Sequence, residues 1–494
     1  MFESSLAFPF FDYMRIPYEV VPAGRQSWLG SYSDRHPLRN SGEVIRRERK
    51  APRPALRWPH FQGQHSPFNG LVRPGVYRVG SIRIYGRVLP DDICGPWLND
   101  TGIRWQRSNP IFNDRGYHMA SEWRGDNGDR FVPYDPGEVI RNYWSEAYRD
   151  SNGGRLGTLA RQMAIPVYYR LRPMLPRASQ IWMRRLFSKV QARAQFPRWP
   201  VETALHDFYA LLLGHVTDVA GEAVPWLAPW PNGYSWALVL THDVETSIGY
   251  QNISVLRNLE VEYGYRSSWN FVPKRYAVDK AVVDALERDG FEIGIHGLYH
   301  DGRDLASLSI LDERLPLMRE YACRWRSVGF RSPATHRVWA WMPLLGFDYD
   351  SSYPDTDPFE PQAGGCCTWL PYFNEDLVEL PITLAQDHTL FTILGEPDGR
   401  LWMEKAEHLR LHGGMALIIT HPDYLGDDRL IAAYRALLQR FATDPTAWRV
   451  LPSQVSAWWR RRTASQVQRT RSGWRVVGPA ADEASIAYAR PSQL

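Results

Sequence analysis

Short apolar runs alternate with amphipathic segments through the second half of the chain. Residues 236–240, 291–295 and 415–419 are mostly apolar, as expected of strands buried on both faces. Two further runs predict strands at 267–272 and 378–384. Apolar positions at helical spacing predict intervening helices at 279–288, 311–326, 401–411 and 429–441. Strands that alternate with helices in this way predict parallel βα units, and therefore an α/β fold.

The first half of the chain is less regular. Residues 1–68 show little periodicity and predict an irregular arm, residues 76–89 alternate as one half-buried strand, and turn-rich chain follows to residue 157. Helical spacing recurs near Arg161 and at 177–195 and 201–213, before a proline-rich stretch at 225–231. We predict four parts: an arm with a small strand and loop domain (1–157), a basic helical connector (158–230), the main α/β domain (231–462), and a tail (463–494) whose segments 473–478 and 484–489 pair as a hairpin.

Polar side chains stand where two of the predicted strands end. Asp243 and Glu245 follow the run 236–240 and, two apart in extended backbone, point to the same side. His296 and His300 follow the run 291–295, and a helix beginning there would place both imidazoles on one face. Such a histidine spacing alone is common on solvated helix faces. Paired with the strand-end carboxylates it indicates a divalent metal site, because two imidazoles and one carboxylate often bind catalytic zinc.

Two later segments also place one functional side chain at the end of an element, shortly before a proline. Arg331 lies in the sequence Gly-Phe-Arg-Ser-Pro at 329–333, and His421 lies in Ile-Ile-Thr-His-Pro at 418–422. With these four segments in this order, residues 236–462 resemble the polysaccharide deacetylase family, also called carbohydrate esterase family 4. The resemblance implies a distorted, incomplete (β/α) barrel. It also implies a metal-dependent hydrolase that removes N-acetyl, sometimes O-acetyl, groups from carbohydrates.

The resemblance implies a role for each matched residue. Asp243 matches the catalytic base, His296 and His300 the histidine ligands, Arg331 the arginine that orients the base, and His421 the general acid. The family commonly places its carboxylate ligand directly after the base, where this chain has Val244, so that role passes to Glu245. Whether Glu245 reaches the ion directly or through water stays open.

The resemblance also implies where the substrate lies. Pro333 matches the proline of the third motif, and Ala334 stands in place of the family's aromatic residue, so that its backbone N–H becomes the predicted oxyanion donor. Trp339 or Trp341 supplies the predicted aromatic wall, and residues 348–352 are the nearest match to the fourth motif.

Asp387 and His388 follow the predicted strand 378–384. Because active groups lie at the carboxyl ends of strands in a βα barrel, both are predicted at the same rim, as substrate contacts. A helix cap with a surface histidine is the alternative.

The amino-acid composition adds little to these predictions of fold and function. The chain of 494 residues, with 44% hydrophobic and 23% charged residues, has an ordinary globular composition, and its net charge of +4 is too small to indicate nucleic acid. The 21 Trp, 25 Tyr and 19 Phe suit a carbohydrate cleft, although most such rings fill cores. The four cysteines, without a Cys-x-x-Cys spacing, are predicted to be reduced thiols.

One segment is strongly basic. Eight Arg or Lys residues and no acidic residue lie between Arg170 and Arg198, and residues 177–195 within it predict a basic amphipathic helix. Such a helix either bridges domains or contacts an anionic membrane near a lipid-linked glycan. The first residues lack the features of a secretory signal, and no run of about 18 apolar residues marks a membrane span. These patterns predict a cytoplasmic location, with peripheral contact at the inner membrane face.

Two alternative functions remain open on the sequence. One is an amidohydrolase acting on a small cyclic amide or imide, which the replacement of the adjacent ligand by Val244 keeps open. The other is a non-catalytic glycan-binding protein on the same fold. The joint presence of the base, the acid, the arginine and three metal-binding side chains argues against the second alternative.

Overall fold

The computed structural model describes residues 9–17, 19–20, 29–33, 54–59, 61, 70, 72–149 and 177–490. Their contacts form two compact units. The first draws its described residues from Met1–Asn152, Thr203–Ala228 and Arg461–Leu494, and the second from Gly153–Glu202 and Pro229–Arg460. The helix predicted near Arg161 lies outside the described residues. The four-part division of the chain stays a prediction.

The second unit is built on a mainly parallel sheet. Seven parallel strands lie side by side in the order Leu377–Glu379, Tyr349–Asp350, Gly329–Phe330, Glu292–Ile295, Ser268–Phe271, Trp236–Val244 and Met415–Thr420. Ala447–Arg449 pairs parallel with Trp236–Val244, and Tyr372–Asn374 pairs antiparallel with Leu377–Glu379. The series curls on itself, because the N–H groups of Thr383 and Leu384, just beyond the first strand, donate to the carbonyl of Leu417 in the last. This is the predicted incomplete (β/α) barrel.

The longest strands of this barrel are apolar because both of their faces are covered. Every residue of Trp236–Val244 and Met415–Thr420 is buried. The helices of the second unit begin at side-chain caps in several places: Asp279, Ser307 and Asp427 each accept a hydrogen bond from a first-turn N–H. These helices are Arg177–Gln191, Ser247–Gln251, Ile253–Glu262, Lys280–Arg288, Leu308–Arg324, Arg400–Leu411, Asp428–Phe441 and Pro452–Thr463, with shorter helical turns at Pro333–Thr335, Met342–Leu345, His388–Leu394 and Pro422–Tyr424. The last residues of Pro452–Thr463, from Arg461, belong to the first unit. The strands and helices predicted in this region are present with small shifts at their ends, except that the strand predicted at 378–384 is shorter and ends at Glu379.

The first unit is built on a mainly antiparallel sheet. Its eight described strands follow the order Glu19–Val20, Leu29–Ser33, Ala55–Pro59, Arg130–Phe131, His118–Gly125, Trp105–Asn113, Gly75–Val79 and Ile82–Gly86. The helices of this unit are Pro9–Met14, Asp91–Asn99, Pro136–Trp144 and Ala204–Ala220. Two smaller pairings are separate from this sheet: Gln466–Thr470 with Gly473–Val477, and Val224–Leu227 with Ile486–Ala489.

Four sequence predictions in the first unit are wrong. Residues 1–68, predicted as an irregular arm, contain the helix Pro9–Met14 and the strands Leu29–Ser33 and Ala55–Pro59. The segment 76–89 forms the hairpin of Gly75–Val79 and Ile82–Gly86, because Gly80 takes a positive φ of 59° and turns the chain. The tail segments 473–478 and 484–489 pair with other strands and not with each other. The stretch read as turn-rich contains Trp105–Asn113, whose residues are largely exposed and therefore lack the apolar alternation that marks a strand.

Candidate active site

Polar residues gather at the carboxyl ends of the parallel strands in the second unit. Because these strands run in one direction, their carboxyl ends share one rim. Asp243 and Asn270 stand near the ends of Trp236–Val244 and Ser268–Phe271, and the two lie opposite each other in register. Directly after the ends of three further strands stand His296, Arg331 and His421.

Asp243 is held as a carboxylate by two donors. Its Oδ1 accepts hydrogen bonds from Nδ2 of Asn270 at 2.7 Å and from Nη1 of Arg331 at 3.2 Å. Burial by itself raises the pKa of Asp243, but the charge of Arg331 and the neighbouring histidines outweigh it and hold the pKa below its ordinary value. Its other oxygen, Oδ2, lies 3.8 Å from Nε2 of His296. Asp243 is therefore anionic, with one oxygen anchored and one directed toward the histidines.

Arg331 is fixed on every side of its guanidinium. Nε donates to the carbonyl of Ser351 at 2.7 Å, Nη2 to the Ser351 hydroxyl at 2.8 Å, and Nη1 to the Thr241 hydroxyl at 2.8 Å as well as to Asp243. Segment 348–352, the predicted fourth motif, thus holds the arginine that faces Asp243. A planar fork held in this way sets the orientation of the carboxylate.

The two histidines of the second motif lie in a loop, so the helix expected after Ile295 is wrong. Gly297 and His300 take positive φ values of 62° and 58°, which a helix excludes. A Cβ at Gly297 would lie 2.4 Å from Oδ2 of Asp304 and 2.6 Å from Pro333, so only glycine fits this turn. The turn brings the rings of His296 and His300 to a centroid distance of 5.0 Å.

Glu245, His296 and His300 fit a divalent ion. One ligand atom from each lies within 4.8 Å of the other two. Nδ1 of His296 lies 3.1 Å from the carbonyl oxygen of Arg331 and must donate to it, which leaves the lone pair on Nε2. Burial lowers the pKa of His296 to about 4, so this imidazole is neutral, as a ligand must be.

The nitrogens that face this centre lack hydrogen-bond partners among the described residues. Nε2 of His296 and Nε2 of His300 are buried and without such a partner. Nε2 of His300 lies 2.9 Å from Oε1 of Glu245, yet outside hydrogen-bond geometry. Burial raises the pKa of Glu245, but His300 and His421 hold it well below its ordinary value. An anionic oxygen beside two unpartnered imidazole nitrogens is the donor set that zinc prefers.

His421 is charged, unlike His296. Its Nδ1 donates to Oδ1 of Asp387 at 2.5 Å, and its backbone N–H donates to Oδ2 of the same carboxylate at 2.7 Å. Burial opposes the charge, but Asp387 and the nearby carboxylates raise the pKa of His421 to about 10. Its Nε2 lies 3.9 Å from Oε1 of Glu245. The site therefore carries a protonated imidazole next to the candidate ligands.

The predicted substrate contacts occupy different places around this centre. Pro333 packs against the histidine loop, and Ala334 follows it with a φ of 52°. Trp339 stacks on Tyr372 at a centroid distance of 6.2 Å. His388 lies against Tyr424, whose ring in turn lies 5.4 Å from that of His421. These four substrate contacts stay predictions.

Asp387 forms the helix cap that the sequence left as the alternative, and it also binds His421, which the sequence prediction did not include. Besides its two bonds to His421, its Oδ1 accepts the backbone N–H of His388 at 2.7 Å, so it also caps the helical turn His388–Leu394. With its side chain buried and both oxygens engaged, the geometry favours positioning of His421 over contact with a substrate. Positioning of His421 is the role that we propose for Asp387.

Sequence reasoning missed Asn270 and Asp423. Asn270 is the polar residue within the apolar run 267–272, and its position at a strand end was a usable signal. Asp423 follows His421 and Pro422, and its carboxylate accepts the backbone N–H of Glu245 at 3.0 Å. Because that contact joins residues 178 positions apart, no local sequence pattern predicts it.

The chain was also compared with known proteins. No family model matches it, and no curated protein matches it. Among solved structures, a protein described as a polysaccharide deacetylase from Mycobacterium smegmatis is 20% identical, with 49% of this chain and 96% of that chain covered and a TM-score of 0.39. A similarly described protein from Pseudomonas aeruginosa PAO1 is 18% identical, covering 46% and 92%, with a TM-score of 0.39. The Puue allantoinase is 17% identical, covering 47% and 92%, with a TM-score of 0.38. Over about half its length, this chain is similar to solved structures of polysaccharide deacetylases, the family whose motifs its sequence resembles.

Proposed function

We propose that the second unit is a metal-dependent hydrolase that removes N-acetyl groups from a carbohydrate. The observation that carries this proposal is the convergence of Glu245, His296 and His300 within 4.8 Å, beside an anchored carboxylate and a charged imidazole. The order of the sequence motifs supports it, because each matched residue stands at the same rim of the barrel. Zinc is the ion we expect, given two imidazoles and one carboxylate.

The residues around the ion divide the proton transfers between them. A bound divalent ion would supply an acidified water and polarise the acetamide carbonyl. Asp243, oriented by Asn270 and Arg331, accepts the proton of the attacking water. His421, kept protonated by Asp387, donates its Nε2 proton to the departing nitrogen. Acetate and a free amino sugar are the products, and O-acetyl groups would be cleaved by the same steps.

Backbone geometry near Pro333 suits the developing negative charge. Ala334 takes a left-handed conformation with φ of 52°, directly after the buried Pro333. We propose that its N–H faces the oxyanion, a type of contact that contributes about 3 to 4 kcal/mol to transition-state stabilisation. Trp339 and His388 are the proposed contacts to the sugar.

The test is a screen for acetate release. Purified full-length protein is incubated with acetamido sugars, sugar nucleotides and lipid-linked oligosaccharides, with added zinc or with chelator. We expect acetate from at least one class, abolished by chelator and by Asp243→Asn, and unchanged in the exposed control Asp428→Asn. Opening of a cyclic amide or imide without acetate release would favour the amidohydrolase instead. Glycan binding that is equal in Asp243→Asn and wild type, with no turnover of any substrate, would favour a binding protein.

A lipid-linked substrate is favoured by the basic helix Arg177–Gln191. Arg185, Leu186, Lys189 and Val190 form a continuous exposed arc, with Leu186 and Val190 45% and 60% exposed. The opposite side packs within the second unit, where Gln191 donates to the carbonyl of Glu360. We propose that the exposed arc contacts an anionic membrane surface, since cations beside apolar side chains suit the lipid headgroup region.

Vesicle binding tests this contact. We expect co-sedimentation with vesicles that contain phosphatidylglycerol, weakened by salt and by Lys189→Glu, and little binding to pure phosphatidylcholine. The double change of Leu186 and Val190 to Ser should also weaken binding. Equal sedimentation of all variants with both vesicle types would rule the contact out. Among the described residues, no helix has the length and apolarity to cross a bilayer, and the compartment stays a prediction from the sequence.

A further inference from the structure

The carboxylate ligand of this site stands just outside the sheet. The strand Trp236–Val244 ends at Val244, whose register partner is Phe271, so Glu245 is the first residue beyond the ladder. A ligand at position 244, directly next to the proposed base Asp243, would still be held by the hydrogen bonds of the strand. Two positions after it, Glu245 needs another constraint on its backbone if its side chain is to reach the same ion as the two histidines.

The peptide unit between Val244 and Glu245 is held at both of its polar ends. The Tyr276 hydroxyl donates to the Val244 carbonyl at 2.5 Å and accepts the Val272 N–H at 3.3 Å. On the other side, the Glu245 N–H donates to Oδ2 of Asp423 at 3.0 Å. A peptide plane held through both its carbonyl and its N–H is restricted in its rotation, and this fixes the backbone from which the Glu245 side chain extends.

Asp423 is itself seated tightly. Its Oδ1 accepts the Thr246 hydroxyl at 2.5 Å, so its two oxygens bind two successive residues. Gly249 closes over it, since a Cβ at that position would lie 2.2 Å from Oδ2. Asn252 donates to the carbonyl of Pro422 at 2.9 Å and ties the same two segments together. The turn that follows the proposed acid His421 is thus hydrogen-bonded to the segment that begins with Glu245.

We infer that Asp423 is a positioning residue that fixes Glu245 for metal binding and so compensates for the shifted ligand. The inference rests on the proposed function and deepens it. Asp423 is not among the three candidate metal ligands. It acts on the backbone of the ligand, and partners of metal ligands commonly change metal affinity about 10- to 100-fold when they are removed.

Zinc affinity of the full-length protein tests the inference directly. Competition with a chromophoric chelator gives the dissociation constant for zinc alone, without any substrate. We expect Asp423→Ala to weaken zinc binding about 10- to 100-fold. Thr246→Val, which removes one of the two bonds, should weaken it less. Saturating zinc should restore most of the turnover in both variants, because the base and the acid are untouched. Asp428→Ala, which removes an exposed charge five positions away, should bind zinc as the wild type does.

A second variant displaces Asp423 without removing its charge. Gly249→Ala places a methyl group where the Asp423 carboxylate lies, and should weaken zinc binding. Gly426→Ala is the matched control, because a Cβ there has no atom within 4 Å. Zinc binding in Gly426→Ala should equal that of the wild type.

The outcomes separate this inference from the proposed function. If Glu245→Ala loses zinc while Asp423→Ala and Gly249→Ala keep wild-type affinity, the positioning role is wrong and the metal site stands. A lowered melting temperature of the zinc-free variants with unchanged zinc affinity would likewise reduce Asp423 to a folding role. A wild-type protein that takes up no zinc would overturn both the proposed function and this inference.

Discussion

Two histidines of the same site differ in charge, and the groups that surround each of them account for the difference. Nδ1 of His296 faces a backbone carbonyl, and burial lowers the pKa of this imidazole to about 4. Nδ1 of His421 faces the carboxylate of Asp387, and the pKa rises to about 10 despite equal burial. A neutral imidazole can bind metal, whereas a charged one can donate a proton. These surroundings therefore support the proposed roles of His296 as a metal ligand and His421 as the acid.

Removing the two histidines should have different effects. His296→Ala should strip zinc from the protein, because one of three ligands is lost. His421→Ala should keep zinc and lower kcat about 100- to 10,000-fold, the usual contribution of a general acid. Metal content after dialysis and steady-state kinetics on the same preparations measure both effects. Equal zinc content in the two variants would contradict the ligand assignment.

Asp387→Asn should move the alkaline limb of the pH profile to lower pH. His421 must be protonated to act as the acid, so kcat falls as the pH rises through its pKa. The neutral amide preserves the shape of Asp387 but removes the charge that raises this pKa. The same pair stabilises the fold fully below about pH 6.5, and that stability is lost as the pH rises through about 10. The pH dependence of kcat is the measurement. An unshifted limb in Asp387→Asn would show that this carboxylate does not tune His421.

At the scale of the elements, neighbouring strands of the barrel lie so close together that one position has room only for glycine. Gly294 lies in Glu292–Ile295, in register with Asn270 of the next strand. A Cβ at Gly294 would lie 1.9 Å from Oδ1 of Asn270. The side chain that steadies Asp243 thus depends on a glycine in the adjacent strand.

Gly294→Ala should lower both stability and activity. The added methyl group forces Asn270 away from Asp243, and overpacking of this kind costs about 1 to 3 kcal/mol. Gly214→Ala is the opposite case, since it lies inside the helix Ala204–Ala220 with no atom within 4 Å of an added Cβ. It should stabilise the first unit by about 0.5 to 1 kcal/mol. Thermal unfolding, followed by circular dichroism, measures the stability of both variants. Stabilisation in Gly294→Ala would refute the packing argument.

The sequence predicts those elements whose reason is local. Residues 236–240 and 415–419 read as buried strands because both faces of those strands are covered, and the confirmed α/β barrel follows from their alternation with helices. The histidine loop could not be read in this way, because its shape depends on contacts of Gly297 with Asp304 and Pro333. Likewise, the strand Trp105–Asn113 is mostly exposed and carries no apolar signal. The residues of the candidate site come from the motifs, while their supports come from contacts distant in sequence.

At the scale of the whole molecule, the proposed ion links segments that are far apart in sequence. Glu245 follows one strand, whereas His296 and His300 belong to a loop beyond the next two. An ion that binds only the folded site stabilises the fold by mass action, about 2.7 kcal/mol at a zinc concentration 100 times the dissociation constant. All three residues belong to the second unit. Zinc binding should therefore raise the stability of the second unit.

Adding zinc should raise the unfolding temperature of the second unit and leave that of the first unchanged. Hydrogen exchange during thermal unfolding resolves the two, with amides of Met415–Thr420 reporting on the second unit and those of His118–Gly125 on the first. In His300→Ala the shift should disappear, because two ligands cannot hold the ion at the same concentration. Magnesium should give a smaller shift than zinc, since it prefers oxygen ligands over imidazole. An equal rise in both units, or a full zinc shift in His300→Ala, would mean that zinc acts elsewhere on the chain.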